Sequence, residues 1–283
     1  MQLKENKTIK QILTTFKGAR IMVENYKTGL KFTHVVDVDK HIAAKIKQIP
    51  RLKTLSLQNK DKSFSMRMYQ DPNNKLFPSV TTVMPSDSEA LNKWKKYMED
   101  SYGGPGAWKW ENIRTQRRGN IAHDLMQDTI NNKEITFTDS NTKQLYRQMY
   151  AYIKKIGQIY CVERELCSYK LGLAGRVDLI AYYNNKLSVI DYKFSNKDRH
   201  DAEWFWEKCF QQGWSYAAML EELTGIKIAQ VVILVSSEDL TTNEFISQRK
   251  DMPVYIKKMK EFISTFNKQN HDNIKEVLNG SIK

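Results

Sequence analysis

Two aspartates and a lysine occupy neighbouring apolar stretches in the middle of the chain. One stretch, residues 173–182, contains Asp178, and the next, residues 187–190, runs directly into Asp191 and Lys193. The turn-like polar connection at 183–186 between them predicts a β-hairpin. On a strand, residues two apart project from the same face, so Asp191 and Lys193 are expected side by side. Two carboxylates beside a lysine form an arrangement that can hold a divalent metal ion and an activated water molecule.

Charged residues next to such apolar stretches require a physical explanation. An unpaired buried charge is costly, and the group often changes its pKa and becomes neutral instead. A bound metal ion would neutralise the two carboxylates. The alternative is a structural Asp–Lys ion pair at a strand end, and the hairpin by itself leaves both interpretations open.

Six segments of the chain form an ordered series around this hairpin. They are residues 78–82 with Lys93 and Trp94, residues 118–123 ending in His123, Glu163, residues 175–178, residues 191–193 followed by Ser195, and residues 212–216. The series resembles the PD-(D/E)XK nuclease superfamily, and within it the RecB-like exonucleases that include the mitochondrial genome maintenance exonuclease family and its phage-encoded relatives. The resemblance covers residues 75–265 approximately. Single motifs of this kind occur by chance, whereas the order and spacing of all six are specific.

The resemblance implies a site for one or two Mg²⁺ or Mn²⁺ ions. Its ligands would be Asp178 and Asp191, with help from Glu163 or His123 and from the carbonyl group of Tyr192. A metal ion at such a site lowers the pKa of a bound water molecule.

The resemblance also assigns roles to three further residues. Lys193 would orient or polarise the water, or neutralise the transition state. Gln212 and Tyr216, one helical turn apart, would position the scissile strand or the lysine.

Basic residues near these motifs are candidates for DNA contacts. Arg117 and Arg118 would offer charge to phosphate, the alternative being a solvated helix face. Ser195 follows the lysine motif, and beyond it Lys197 and Arg199 either contact the DNA backbone or belong to an ordinary charged loop. Aromatic residues of the following helix, Trp204 and Trp206 among them, either stack on bases or fill the core, and the core is favoured.

The fold expected is α/β. The order of strands and helices around the hairpin implies helices on both faces of a mixed sheet, which the resemblance makes a restriction-endonuclease-like core at residues 76–270. Residues 1–75 are expected to form an N-terminal α+β extension that serves packing rather than DNA contact. We expect a long helix at 142–161, and residues 271–283 form a tail expected to fray.

Composition supports a polyanionic partner. Lys and Arg number 45 against 32 Asp and Glu, a formal net charge of +13, which favours nucleic acid, although a lysine-rich surface also serves solubility. Three cysteines are too few for a disulfide framework or for the iron–sulfur branch of the family. They fit a reducing compartment. No apolar run is long enough for a membrane span.

The first residues are basic and mimic an organelle-targeting peptide, but Glu5, Glu24 and the scarcity of arginine count against a mitochondrial location. We therefore expect a cytoplasmic protein, in a bacterial host cell if the chain is phage-encoded.

These features predict a metal-dependent DNA exonuclease that acts on DNA ends or single strands in replication, recombination or repair. One alternative is a non-catalytic nucleic-acid-binding module on a nuclease fold, which would have lost an acid or the lysine, whereas all are present. Another is a restriction-type endonuclease, which needs neither the histidine motif nor the Gln-x-x-x-Tyr helix.

Overall fold

The computed structural model describes residues 22–25, 29–32, 39–61, 63–85, 88–131 and 133–280. The ten strands in these ranges are β1 Met22–Asn25, β2 Gly29–Phe32, β3 Lys53–Gln58, β4 Ser65–Gln70, β5 Leu76–Pro78, β6 Ile156–Ser168, β7 Leu173–Tyr183, β8 Lys186–Ser195, β9 Gln230–Ser237 and β10 Thr242–Gln248. The helices are α1 Lys40–Lys47, α2 Val80–Val83, α3 Ser88–Tyr102, α4 Ala107–Ile130, α5 Ser140–Gln148, α6 Tyr150–Ile153, α7 Glu203–Thr224, α8 Met252–Gln269 and α9 His271–Gly280.

Five strands form the central sheet, in the order β10-β9-β8-β7-β6. Strands β6, β7 and β8 form an antiparallel meander, β8 and β9 are parallel, and β9 and β10 are antiparallel. The parallel pair requires a crossover connection, which α7 supplies. Every residue of β9 is buried, as expected for a strand covered on both faces. The predicted α/β architecture with a mixed sheet is therefore confirmed.

Alternate residues of the sheet pack on opposite layers of helices. Val231 and Ile233 lie in one cluster with Trp214 of α7, while Val232 and Leu234 lie in another with Met126 of α4. The close approach of α7 depends on Gly213, because a Cβ atom there would collide with the Val231 side chain. The ends of β7 and β8 consequently lie between α4 on one face and α7 on the other.

The segment before the central sheet packs against it. Strands β3, β4 and β5 form a three-stranded antiparallel sheet, and Ser79 bridges to Ala174 of β7. Ile46 and Met68 share one buried cluster with Leu166 of β6. Strands β1 and β2 pair antiparallel, as the pattern of residues 20–38 predicts. The apolar spacing in residues 1–20 predicts a short helix, and Ser86 or Asp87 is the predicted cap of α3. Both predictions fall outside the described residues.

Two expectations about secondary structure are wrong. The helix predicted for 142–161 is replaced by two helices that end at Ile153, and β6 begins at Ile156. Gly157 is a weak helix former, and the β-branched and aromatic residues after it pair with β7, so tertiary pairing outweighs the helical pattern. The tail expected after residue 270 forms α9, because Val277 is buried in the main core and the Lys60 amide donates to Glu276 Oε1 at 3.1 Å.

Among the described helices, none combines the length and the apolar character needed to cross a lipid bilayer.

Candidate active site

The predicted hairpin brings the two aspartates together. Strands β7 and β8 pair antiparallel from Tyr183 opposite Lys186 to Leu179 opposite Ile190, so the next positions along the two strands are Asp178 and Asp191. The connecting Asn184 and Asn185 have φ of 48° and 62°, values that asparagine tolerates in a tight hairpin turn. The amide of Tyr192, next to Asp191, donates to Asp178 Oδ2 at 3.0 Å. The hairpin therefore fixes one carboxylate against the backbone that carries the other.

Asp191 and Lys193 form a largely buried ion pair on the same face of β8. Asp191 is 1% exposed, and its Oδ2 contacts Lys193 Nζ. Within the described residues, Oδ1 of Asp191 has no hydrogen-bond partner. Burial raises the pKa of Asp191 to about 6, although the charge of Lys193 opposes that rise. Burial disfavours the ammonium of Lys193, but Asp191 outweighs it and raises the lysine pKa, so Lys193 carries its charge.

A second group of donors lies beside this pair. His123, Glu163 and Asp178 each offer one ligand atom, and these atoms all lie within 4.8 Å of one another. His123 Nδ1 is 3.5 Å from Asp178 Oδ2. Carboxylate oxygens with an imidazole nitrogen are donors for divalent cations such as Mn²⁺. The three residues, together with the unpartnered oxygen of Asp191, fit the divalent metal that the resemblance implies.

Glu163 reaches the cluster through an unusual backbone conformation. It lies in β6 between Val162, opposite Leu179, and Arg164, opposite Val177, which places it opposite Asp178. Its φ of 47° is left-handed, which costs on the order of 1–3 kcal/mol for a residue other than glycine. Burial, and then the charge of Asp178, raise the pKa of Glu163 to about 7. The strain is thus located at a residue whose carboxylate belongs to the cluster.

Arg176 is the basic partner of Glu163. Its Nε lies 2.8 Å from Glu163 Oε2, and its side chain is 56% exposed. The charge of Arg176 opposes the rise in the Glu163 pKa. The exposed guanidinium of Arg176 therefore offsets part of the negative charge of Glu163.

The Gln-x-x-x-Tyr motif reaches the site from α7. Gln212 Nε2 donates to the hydroxyl of Tyr216 at 3.1 Å. Tyr216 is buried and lies against Gly175 of β7, where a Cβ atom would stand 2.5 Å from Tyr216 Cε1. Burial raises the pKa of Tyr216, so its hydroxyl stays protonated. The glycine before Asp178 is thus required for the tyrosine to pack on the strand that carries this aspartate.

His123 enters from the opposite face, on α4. Its ring packs edge-on against Tyr192 and Phe194 of β8, with centroids 6.2 Å and 5.6 Å away. The Tyr192 ring is buried in the core with α4, and the metal contact expected of its carbonyl group stays a prediction.

The predicted DNA-contacting residues fall into two groups. Arg117 and Lys197 are exposed, and Arg199 is half-buried. Arg118 is not suited to contact phosphate directly, because its side chain is 4% exposed and pairs with Glu238 at 2.8 Å. Ser195 is also buried, and its Oγ accepts a hydrogen bond from Arg199 Nε at 2.7 Å. Both residues therefore position other parts of the chain.

One further correction concerns an exposed side chain. Trp204, expected in the core, is 67% exposed. Trp206 is partly buried and stacks on Phe245 with centroids 6.1 Å apart, as a core residue should. Arg114 of α4 is 48% exposed and pairs with Glu111 at 2.8 Å and Glu238 at 2.7 Å.

Three residues near the site have no role in the sequence prediction. Asp124 follows His123, is exposed, and raises the Glu163 pKa through its charge. Arg176 lies within residues 175–178, the segment that ends in Asp178. Cys209 is buried on α7, and Lys193 is the charge that most strongly opposes the rise of its pKa on burial. The sequence could have indicated two of these residues, because Asp124 is next to the motif histidine and Arg176 is two residues before Asp178. No feature of the sequence pointed to Cys209.

Comparison with known proteins gives little support for an activity. No protein-family model matches the chain, and no curated protein matches it. Among solved structures, the chain is similar to a candidate exonuclease from Eubacterium rectale, at 11% sequence identity and a TM-score of 0.34, over 71% of this chain and 70% of that one. Such weak superposition carries no argument about function, so the site geometry must carry it.

Proposed function

We propose that this protein is a metal-dependent deoxyribonuclease, an exonuclease that hydrolyses phosphodiester bonds at DNA ends or in single strands. The observation that carries the proposal is the convergence of His123, Glu163 and Asp178 beside the buried pair of Asp191 and Lys193. Acids and one cation of this kind gather where a phosphate and a divalent ion must be held together.

The residues suited to hold Mg²⁺ or Mn²⁺ are Asp178, Glu163 and His123, with Asp191 beside them. A divalent ion there would act as a Lewis acid toward phosphate and lower the pKa of a bound water molecule. The structural ion-pair interpretation explains Asp191 and Lys193 alone. It gives no reason for the raised pKa of Glu163 or for the strained backbone that places this carboxylate.

Lys193 is the residue best suited to act on the reacting atoms. Asp191 holds its ammonium in place, and a quarter of the lysine side chain remains exposed. The ammonium can donate to an attacking water or to a phosphate oxygen as negative charge develops there. Gln212 and Tyr216 act as positioning residues, because Tyr216 packs against the strand that carries Asp178.

An assay on end-labelled DNA tests the proposal. The 283-residue chain is incubated with linear and circular DNA, single- and double-stranded, with Mg²⁺, Mn²⁺ or EDTA. We expect release of nucleotides from linear DNA with metal, intact circles, and no cleavage in EDTA. Cutting of circles would indicate an endonuclease instead. Absence of cleavage with either metal would leave a non-catalytic DNA-binding module.

Substitutions of Asp191 and Lys193 test whether cleavage depends on this ion pair. Lys193→Ala or Asp191→Ala should lower cleavage by a factor of about 100 or more while DNA binding is kept. Lys208→Ala is the control, since Lys208 is an exposed lysine of α7. Thermal unfolding must show that each variant is folded. Cleavage at the level of the Lys208 variant would show that the site is elsewhere.

A further inference from the structure

An exposed tryptophan stands at the start of α7. Trp204 is 67% exposed, whereas Phe210 and Trp214 further along the same helix are buried. Large aromatic side chains are usually well buried, so an exposed one next to a candidate active site is informative. The Phe205 ring meets Trp204 edge-on, with centroids 6.0 Å apart, and leaves most of the indole surface open.

Arg199 supports the indole from the loop before α7. Its guanidinium carbon lies 5.8 Å from the Trp204 ring centre and 5.2 Å from that of Phe205. Its Nε donates to the buried Ser195 Oγ at 2.7 Å, and its amide donates to Asn243 at 3.2 Å. Among the described residues, Arg199 makes no ion pair with a carboxylate. The arginine is therefore held by neutral partners, and the tryptophan beside it has a fixed support.

This pair of side chains is tied to the candidate active site. Ser195, which accepts from Arg199, lies on β8 two residues after Lys193. Cys209 of α7 is five residues after Trp204, or roughly 7.5 Å along the helix. Burial raises the pKa of the Cys209 thiol, and the charges of both Lys193 and Arg199 oppose that rise. Through Arg199 and Ser195, Trp204 is thus connected to the strand that carries Lys193.

Charge alone does not explain the surface around Trp204. Lys197 and Arg199 share the segment with the acidic residues Asp198, Asp201 and Glu203. A pure phosphate-binding loop would be net positive. An aromatic ring, by contrast, stacks on any unpaired base irrespective of the local charge balance.

We propose that Trp204, supported by Arg199, is a stacking platform for an unpaired base of the DNA strand beside the cleavage site. This inference rests on the proposed nuclease function and specifies its substrate: the strand must be single-stranded where it crosses Trp204. Stacking of one base is worth a factor of about ten in affinity.

Binding of abasic oligonucleotides tests the platform. The 283-residue chain is titrated in EDTA, where no cleavage is expected, with single-stranded oligonucleotides that carry one abasic site at successive positions. Affinity of the unaltered protein should drop about tenfold at one position and little elsewhere. Trp204→Ala should bind the intact oligonucleotide about tenfold more weakly and lose that position dependence, whereas Trp204→Phe should keep most of both.

Trp110→Ala is the matched control. Trp110 is a tryptophan of α4 that is 77% exposed, and it lies thirteen residues before His123. This variant should retain the abasic profile. If Trp204→Ala keeps the profile, or Trp110→Ala loses it equally, the platform is disproved. Position-dependent binding without metal-dependent cleavage would support the stacking platform and contradict the nuclease function. Metal-dependent cleavage together with unchanged DNA binding by Trp204→Ala would support the nuclease function and contradict the platform.

Discussion

At the scale of single residues, Glu163 combines two energetic costs that an ordinary strand residue avoids. Its backbone is left-handed, and its partly buried carboxylate lies among other acids. Arg176 relieves the electrostatic cost in part. Strained residues persist where surrounding structure holds them and are concentrated at functional sites. A bound cation would relieve the remaining repulsion, which ties the conformation of this residue to the proposed metal site.

The raised pKa of Glu163 predicts how metal-free protein responds to pH. The folded state keeps the proton up to about pH 7, while the unfolded chain releases it near 4.5. Between these values the folded state binds more protons, so the free energy of unfolding falls as pH rises. We expect the melting temperature in EDTA to decrease between about pH 5 and about pH 8. Added Mg²⁺ or Mn²⁺ should reverse the decrease, because it binds the ionised cluster.

Glu163→Gln is the test of this assignment. The amide cannot titrate, so the decrease in melting temperature should become smaller, with Asp191 accounting for part of what remains. Metal should also stabilise the variant less than the unaltered protein. An identical pH profile in both proteins would mean that Glu163 has an ordinary pKa.

At the scale of secondary structure elements, the contact between β7 and α7 sets the geometry of the site. Gly175 leaves room for Tyr216, and a Cβ atom would come within 2.5 Å of the ring. Gly175→Ala should destabilise the protein by about 1–3 kcal/mol, as overpacking does. It should also reduce cleavage, because the tyrosine or the strand carrying Asp178 must shift. Chemical denaturation and the end-label assay measure the two effects.

Gly157→Ala controls for the loss of a strand glycine. A Cβ atom there would lie 3.5 Å from the Tyr182 Cβ, an ordinary contact. We expect a change within about 0.5 kcal/mol and unaltered cleavage. Equal behaviour of the two alanine variants would indicate that Tyr216 rotates away at little cost.

Glu238 joins three elements behind the site. It follows β9, pairs with Arg114 and Arg118 of α4, and accepts from Asn141 of α5 at 2.6 Å. Burial alone would raise its pKa, but the bonds from Arg114, Arg118 and Asn141 outweigh burial and lower it to about 2. The stability that this pKa shift contributes is complete above the unfolded value of 4.5 and is lost as pH falls toward 2.

Glu238→Gln should therefore unfold more easily at neutral pH, by on the order of 2 kcal/mol, because hydrogen bonds to a charged acceptor are lost. The difference from the unaltered protein should shrink on acidification toward pH 2. Glu89→Gln is the control, since Glu89 and Lys93 are both exposed and such pairs contribute about 0.3–0.5 kcal/mol. A difference that stays constant with pH would show that Glu238 does not titrate as proposed.

At the scale of the whole molecule, the sequence predicts those structural features that depend on residues close together in the chain. Two apolar stretches joined by the polar connection at 183–186 predict the hairpin, and spacing by two predicts the Asp191–Lys193 pair. The start of β6 escaped prediction because only pairing with β7 distinguishes residues 156–161 from a helix. Arg118 could not be assigned to Glu238, because its partner is distant in sequence and the two meet only when α4 packs beside β9.

The exposure of individual side chains could not be predicted from the sequence pattern either. Trp204 and Trp206 are two residues apart on one helix, yet the first is exposed and the second stacks on Phe245. Phe210 and Trp214 further along α7 pack in the main core, and composition does not distinguish them from Trp204. Function was predicted through a resemblance, and the structure brings Asp178, Glu163 and His123 together as possible metal ligands.

The net charge of +13 predicts a salt-dependent affinity for DNA. Each phosphate neutralised on a single strand adds about −0.7 to the slope of log affinity against log salt concentration. Arg117→Ala and Lys197→Ala, which remove exposed cations, should each make the slope shallower by about that amount. Trp204→Ala should lower affinity at every salt concentration and leave the slope unchanged, because stacking releases no counterions.

Lys186→Gln tests whether position or net charge matters. Lys186 is exposed at the hairpin turn, roughly 23 Å along β8 from Lys193, and its Nζ donates to Gln248. The variant lowers the net charge by one, as the other two do, but should leave the slope intact if DNA follows the path past Lys193. Fluorescence anisotropy of a labelled oligonucleotide at several salt concentrations, in EDTA, measures all four variants. Equal flattening by Lys186→Gln would attribute binding to the diffuse positive field, and the path past Arg117 and Lys197 would then be wrong.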